Sequence, residues 1–165
     1  MPFASSILIA TDLSPASFAA LVEGARIAQL CEQARVPETP RLTLLHVFDI
    51  GPFRQLPRDA TLSEGTLRRI SEEANGAAHS VLLGLRARFF QGRREIEVAT
   101  IEHDGAAAGI CASASQRGSD LILMASHGRS GRGSTAHGSV TAKVVRAAPC
   151  RVLVVPSEDA ERHAH

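Results

Sequence analysis

Five short apolar runs, separated by longer stretches with helical spacing, set out the plan of the chain. The first, Ile7-Leu8-Ile9-Ala10, is uninterrupted and ends at Thr11-Asp12, as in a strand covered on both faces. Ser14-Pro15 then offers an N-cap with proline at the first helical position. Phe18, Leu21, Val22, Ala25 and Ala28 recur at helical spacing within residues 18–34, and Pro37 and Pro40 close the segment. Leu42 to Phe48, LTLLHVF, is the second buried strand. The connection from Asp49 to Thr61 holds two prolines, a glycine and several charges, and reads as irregular.

Ser63-Glu64 opens a long helical pattern carrying Leu67, Ile70, Ala74, Ala78, Val81, Leu82, Leu85 and Phe89. Glu95 to Ile101 alternates more, as expected for a third strand at an edge or with one less protected face. An alanine-rich helix is predicted over 106–117, with Asp104 near its start and Gly118 as its C-terminal stop. The fourth strand is Leu121 to Ala125. A glycine-rich basic loop follows, then a helix opened by Gly138-Ser139-Val140-Thr141, and beyond Pro149 a fifth strand, Val152 to Val155.

This alternation predicts an α/β fold: a single-domain, doubly wound, five-stranded parallel sheet of order 3-2-1-4-5 with helices on both faces. Ligands of such sheets sit outside the strand C-termini where the strand order reverses. Here that is between the first and fourth strands, which sets Asp12 opposite the turn at 126–128.

Composition narrows the class. A chain of 165 residues fits one domain, taken as 1–156, with the polar segment 157–165 reading as a disordered tail. A net charge of +1 supplies no field to recruit nucleic acid or an acidic membrane. Cys31, Cys111 and Cys150 form no CxxC pair and suit a reducing compartment as small apolar fillers. No apolar run approaches the roughly 20 residues that span a bilayer. MPFASSILIATD lacks the basic and apolar regions of a secretory signal, so a cytoplasmic location is expected. Trp and Tyr are both absent, so a bound nucleotide would dominate the ultraviolet absorbance.

The loop after the fourth strand imitates two nucleotide motifs. Gly128-x4-Gly133-Ser134 has the glycine spacing of a P-loop, yet serine stands where a lysine must reach the outer phosphates. Gly131-x-Gly133-x-x-Ala136 matches a dinucleotide fingerprint, but only one strand remains to complete such a unit. What survives is a loop leading into a helix N-terminus at a strand end, where free N–H groups and the helix dipole favour a phosphate.

A third pattern is more specific. Gly128, nine residues, then Gly138-Ser139 reproduces most of the G-x2-G-x9-G-[S/T] signature of ATP-binding universal stress proteins. ILIATDLSP resembles the first strand and acidic turn of that family, LTLLHVFD its second strand, and SDLILMASHGRSG with GSVTAKVVRAAPCRVLVVP its C-terminal hallmark. The resemblance implies the HUP, adenine nucleotide alpha hydrolase-like, form of the fold. It also implies a site for ATP or another adenine nucleotide, with Mg2+ or Mn2+ as partner of the phosphates.

By the same resemblance Asp12 lies at the nucleoside end, Val47 borders adenine, and Met124 and Ala125 line the pocket. Gly128 would let the backbone approach the phosphates, which Gly138, Ser139, Val140 and Thr141 would hold through N–H and hydroxyl groups. Ala10 stands where some members have proline. The chain departs from the family at Ala125, the first glycine of the signature, and in RSGRGSTAH, which lacks the usual leucine-rich turn. Family members pair the edge of the fifth strand across a two-fold axis, which implies a homodimer through Val152 to Val155, where unpaired backbone groups invite a partner.

Plainer readings stand beside these. Asp12 binds ribose or a metal carried with ATP, or it caps the turn before the first helix. Ser139 and Thr141 are phosphate ligands or helix caps. Arg129 and Arg132 reach phosphate oxygens or are solvated. His46, inside an apolar strand, reads as a core or pocket-wall residue, while His127 at the loop is placed to donate to a phosphate or to act as a general base. His137 completes no triad, and the scattered histidines and cysteines make no zinc pattern. The expected function is an ATP-binding protein with a regulatory or stress-tolerance role, with no catalytic residue and no protein-held metal assigned. The alternatives are a weak ATPase, in which His127 or Asp12 orients water, and a nucleotide-free dimeric interaction protein of the same fold.

Overall fold

The computed structural model describes residues 4–35, 38–55, 62–91, 93, 95–128 and 139–157, and its central strand, β1 (Ser6–Ala10), is buried on both faces. Successive side chains of a strand point to opposite sides. Ile7 and Ile9 therefore enter one core and Leu8 and Ala10 the other. This explains why Ile7 to Ala10 carries no polar residue.

β1 is flanked by β2 (Arg41–Asp49) and β4 (Leu121–Ala125), with β3 (Glu97–His103) and β5 (Arg151–Val155) at the edges. All pairings are parallel, with Ile7 opposite Leu42 and Leu121, and the order is the expected 3-2-1-4-5. On one face, α1 (Phe18–Gln33) and α3 (Glu64–Phe89) cover Ile7, Ile9, Leu44 and Leu123 with Leu21, Leu82 and Leu85. On the other, α4 (Ala106–Arg117) and α5 (Ser139–Ala147) cover Leu8, Leu45, Ile122 and Met124 with Ile110, Ala114 and Val144.

Local signals act largely as read. Ser63 caps α3 by accepting the Thr66 N–H at 3.1 Å, and Gly118 ends α4 in the left-handed conformation at φ 58°. Three departures from expectation stand out. Ser14 and Pro15 open a 3-10 turn (Pro15–Ser17) ahead of α1, and the Ser14 hydroxyl donates to Asp12 instead of capping a helix. The connection after β2, expected to be irregular, begins with a short helix, α2 (Gly51–Arg54), so five α-helices are described instead of four. β3 starts two residues later than expected because the Ile96 carbonyl accepts from Arg86 Nη1 at 3.1 Å and its side chain is buried before the ladder begins.

Among the described strands the outer β5 pairs with β4 alone, and Leu153 is exposed. Among the described residues no helix is long and apolar enough to cross a membrane.

Candidate functional site

A cleft opens at the C-terminal ends of β1 and β4, where the strand order reverses, between the sheet and the N-terminal ends of α4 and α5. About 630 Å³ of space lies within it, the open solvent at its mouth included. Ala10 and Asp12, Val47, Met124 and Ala125, His127 and Gly128, and Ser139, Val140 and Thr141 all line it. The predicted residues Arg129 and Gly138 lie outside the described residues, as do Gly131, Arg132, Gly133, Ser134, Ala136 and His137 of the loop.

The β1 turn is held by a chain of hydroxyls. Ser17 Oγ donates to the Ser14 carbonyl at 2.8 Å, so the 2.6 Å contact between Thr11 and Ser17 hydroxyls must be a Thr11 donation. Thr11 Oγ1 in turn accepts the Leu13 N–H at 3.0 Å. Leu13 sits at φ 66°, a left-handed conformation that is uncommon for a leucine. Asp12 Oδ1 accepts both the N–H and the hydroxyl of Ser14, at 3.0 and 2.6 Å. Asp12 therefore does hold the turn, and it lines the cleft as well.

Across the strand reversal, Gly128 comes so close to Asp12 that a Cβ placed on it would stand 3.0 Å from the Asp12 Cγ. Any side chain there would require the Asp12 carboxylate to move aside. His127 lies beside it, with Nδ1 buried and without a partner among the described residues.

Ala125 has the backbone of a regular strand and is not among the residues with positive φ, so the position makes no conformational demand for glycine. Its methyl packs with Ala19 and Val155, on the α1 side of the sheet. Thr141, 4% exposed, donates its hydroxyl to the Ala125 carbonyl at 3.0 Å. That hydrogen is committed to joining α5 to β4, and the oxygen keeps its accepting capacity.

The wall at the β2 end is apolar. Leu45 and Val47 face Ala106 and Ile110 of α4. α4 approaches this closely because Gly109 lacks a side chain: a Cβ there would lie 2.7 Å from Val47 Cγ1 and 2.9 Å from His103 Cβ. The wall is pinned by Asp49, whose carboxylate accepts from the backbone N–H groups of Gly51, Gly105 and Ala106 at 2.9, 3.0 and 3.2 Å. One side chain thus ties the end of β2 to the starts of α2 and α4. His46 points to the other face of β2, where its Nδ1 lies 3.0 Å from the Thr11 carbonyl. A carbonyl only accepts, so Nδ1 carries the proton.

Asp49, Leu45, Ala106, Ile110, Thr11 and Ser17 were not singled out from the sequence. The only local sign of Asp49 was an acidic residue at a strand end, two positions before a glycine. Among the described residues no three His, Cys, Asp or Glu side chains come together as metal ligands, and Asp12 is the one acidic side chain lining the cleft.

The universal stress protein family profile matches residues 4–156. Solved structures of similar fold include universal stress protein UspA from Lactobacillus plantarum, 27% identical over 92% of this chain and 97% of that one, with a TM-score of 0.67. A universal stress protein solved in complex with cAMP is 19% identical over 93% and 98% of the two chains, with a TM-score of 0.55. A universal stress protein family protein from Arabidopsis thaliana with AMP bound is 15% identical over 92% and 91%, with a TM-score of 0.52. No curated protein matches the chain in sequence.

Proposed function

Since the chain belongs to the universal stress protein family, we propose that this cleft binds an adenine nucleotide, ATP foremost, and that occupancy serves a regulatory or stress-tolerance role instead of rapid turnover. The observation that carries this reading is the meeting of Asp12, Gly128 and the N-terminal end of α5 around one cleft with an apolar wall. Two proteins of the same fold were solved with cAMP and with AMP, which supports the ligand class.

In this reading the base lies against Leu45, Val47, Ala106 and Ile110, where its faces lose water without needing an aromatic partner. The ribose hydroxyls meet Asp12. The phosphates follow the backbone of Gly128 to the N-terminus of α5, where Ser139 and Val140 present N–H groups at the positive end of the helix dipole. His127 adds a donor when protonated. Mg2+ or Mn2+ fits the same site as a companion of the phosphates: such ions take one or two carboxylates and complete their shell from phosphate and water, and Asp12 supplies one carboxylate.

The edge of β5 is the proposed contact between two copies, because β5 is the last strand of the sheet and Leu153 is exposed on it. Sedimentation at micromolar concentration should show a dimer, and a monomer would remove this part of the reading.

The test of binding is direct. Protein purified without added nucleotide, then denatured and filtered, should release adenine absorbance, and added ATP or AMP with Mg2+ should raise its melting temperature. No released nucleotide together with no melting shift would defeat the proposal.

A further inference from the structure

We propose that Ser157, just beyond the edge strand, is a positioning residue for the nucleotide cleft. Its hydroxyl accepts the His127 N–H at 3.1 Å and donates to the His127 carbonyl at 3.3 Å. Its own N–H donates to Ser126 Oγ at 3.1 Å, and the two hydroxyl oxygens lie 3.3 Å apart. With the Ser157 hydrogen committed to His127, the Ser126 hydroxyl is the donor in that last contact. Every donor and acceptor site of the Ser157 hydroxyl is then filled. The Ser126 N–H also donates to the Val155 carbonyl at 2.7 Å, one step beyond the regular ladder of β4 and β5.

These bonds grip the peptide groups on both sides of His127. Gly128 follows immediately, with the Asp12 carboxylate close on the opposite side. The two serines thus set the depth at which His127 and Gly128 stand in the cleft. They do so from the C-terminal end of β5, without passing through α5. Ser157 itself does not line the cleft, so it acts through His127 and Gly128 and touches no ligand directly.

The role rests on the nucleotide reading, and the experiment separates the two. ATP and AMP affinities are measured by calorimetry on the full chain for wild type, Ser157→Ala, Ser157→Thr and Ser126→Ala, with backbone amide exchange followed at His127 and Gly128. Ser157→Ala should weaken binding about three- to tenfold, the worth of one or two lost hydrogen bonds. It should accelerate exchange of the His127 amide and lower the melting temperature by only a few degrees. Ser157→Thr keeps the hydroxyl and should restore affinity to within about twofold of wild type.

Wild type binding with Ser157→Ala binding equally well overturns the role of Ser157 alone. A failure of threonine to rescue overturns it too, because the hydroxyl would not be the operative group. Wild type binding neither nucleotide defeats the nucleotide reading and this role with it. Should Ser157→Ala fail to fold, Ser126→Ala frees Ser157 from its two side-chain contacts at the end of β4 while leaving its bonds to His127, and unchanged affinity with unchanged His127 amide exchange in that variant overturns the role. Fast exchange of the His127 amide in the wild type would overturn the clasp outright.

Discussion

Asp12 and Gly128 meet across the reversal of the sheet: with Asp12 following β1 and Gly128 following β4, a methyl group on Gly128 would stand 3.0 Å from the Asp12 Cγ and closer still to its outer oxygen. The two residues are 116 positions apart in sequence and adjacent at the mouth of the cleft. A side chain at position 128 would therefore have to displace the carboxylate.

Gly128→Ala should therefore lower affinity for adenine nucleotide about tenfold or more, since the new methyl displaces Asp12 or pushes the backbone away from the phosphates, a steric cost of about 1–3 kcal/mol. Adding Asp12→Ala removes the overlap and should recover melting temperature without recovering affinity. Calorimetric titration and thermal melting of the two variants separate these effects.

Gly109→Ala tests the apolar wall. The added methyl lies 2.7 Å from Val47 Cγ1, so Val47 moves into the cleft or α4 moves off the sheet, at a cost of about 1–3 kcal/mol in stability. Val47→Ala should be partly compensating in the double variant. A double-mutant cycle by chemical denaturation should give a coupling energy above about 0.5 kcal/mol.

Asp49→Ala strips the acceptor from three backbone N–H groups at the starts of α2 and α4. The expected loss is about 2–3 kcal/mol by urea denaturation, accompanied by weaker nucleotide binding, because Ala106 and Ile110 are no longer pinned against Val47. Asp49→Asn keeps an acceptor oxygen and should lose about half as much.

The thiols give a pH-dependent test. Burial is the main cause that pushes both Cys111 and Cys150 above the usual thiol range, and the nearby Asp120 carboxylate pushes Cys150 further. A raised thiol pKa means less thiolate at a given pH, so alkylation of both by iodoacetamide should be slower in the folded protein than in denaturant at pH 8. The difference should narrow as pH rises through the folded values. Mass mapping of the alkylated peptides measures each thiol separately.

The elements and their arrangement were legible in the chain because they rest on short-range patterns. Uninterrupted apolar runs such as Ile7 to Ala10 and Leu121 to Ala125 mark strands buried on both faces, Ser63 and Gly118 mark helix ends, and strict alternation of strand and helix leaves a parallel sheet as the economical fold. The strand reversal then located the cleft, and every predicted site residue within the described residues lines it.

What could not be read there concerns groups that are distant in sequence and meet only after packing. The Asp49 carboxylate finds Gly105 and Ala106 because β2 and β3 run side by side and end together. Ser157, read as tail, closes on Ser126 and His127 because β5 lies against β4. The Ala125 methyl turns toward Ala19 and away from Met124's side of the sheet by strand alternation alone, which relieves a position where the family signature has glycine. A hydrogen-bonding side chain carries no mark in sequence of which distant backbone group it will satisfy, so the residues that hold this cleft in shape emerge only once the strands are paired.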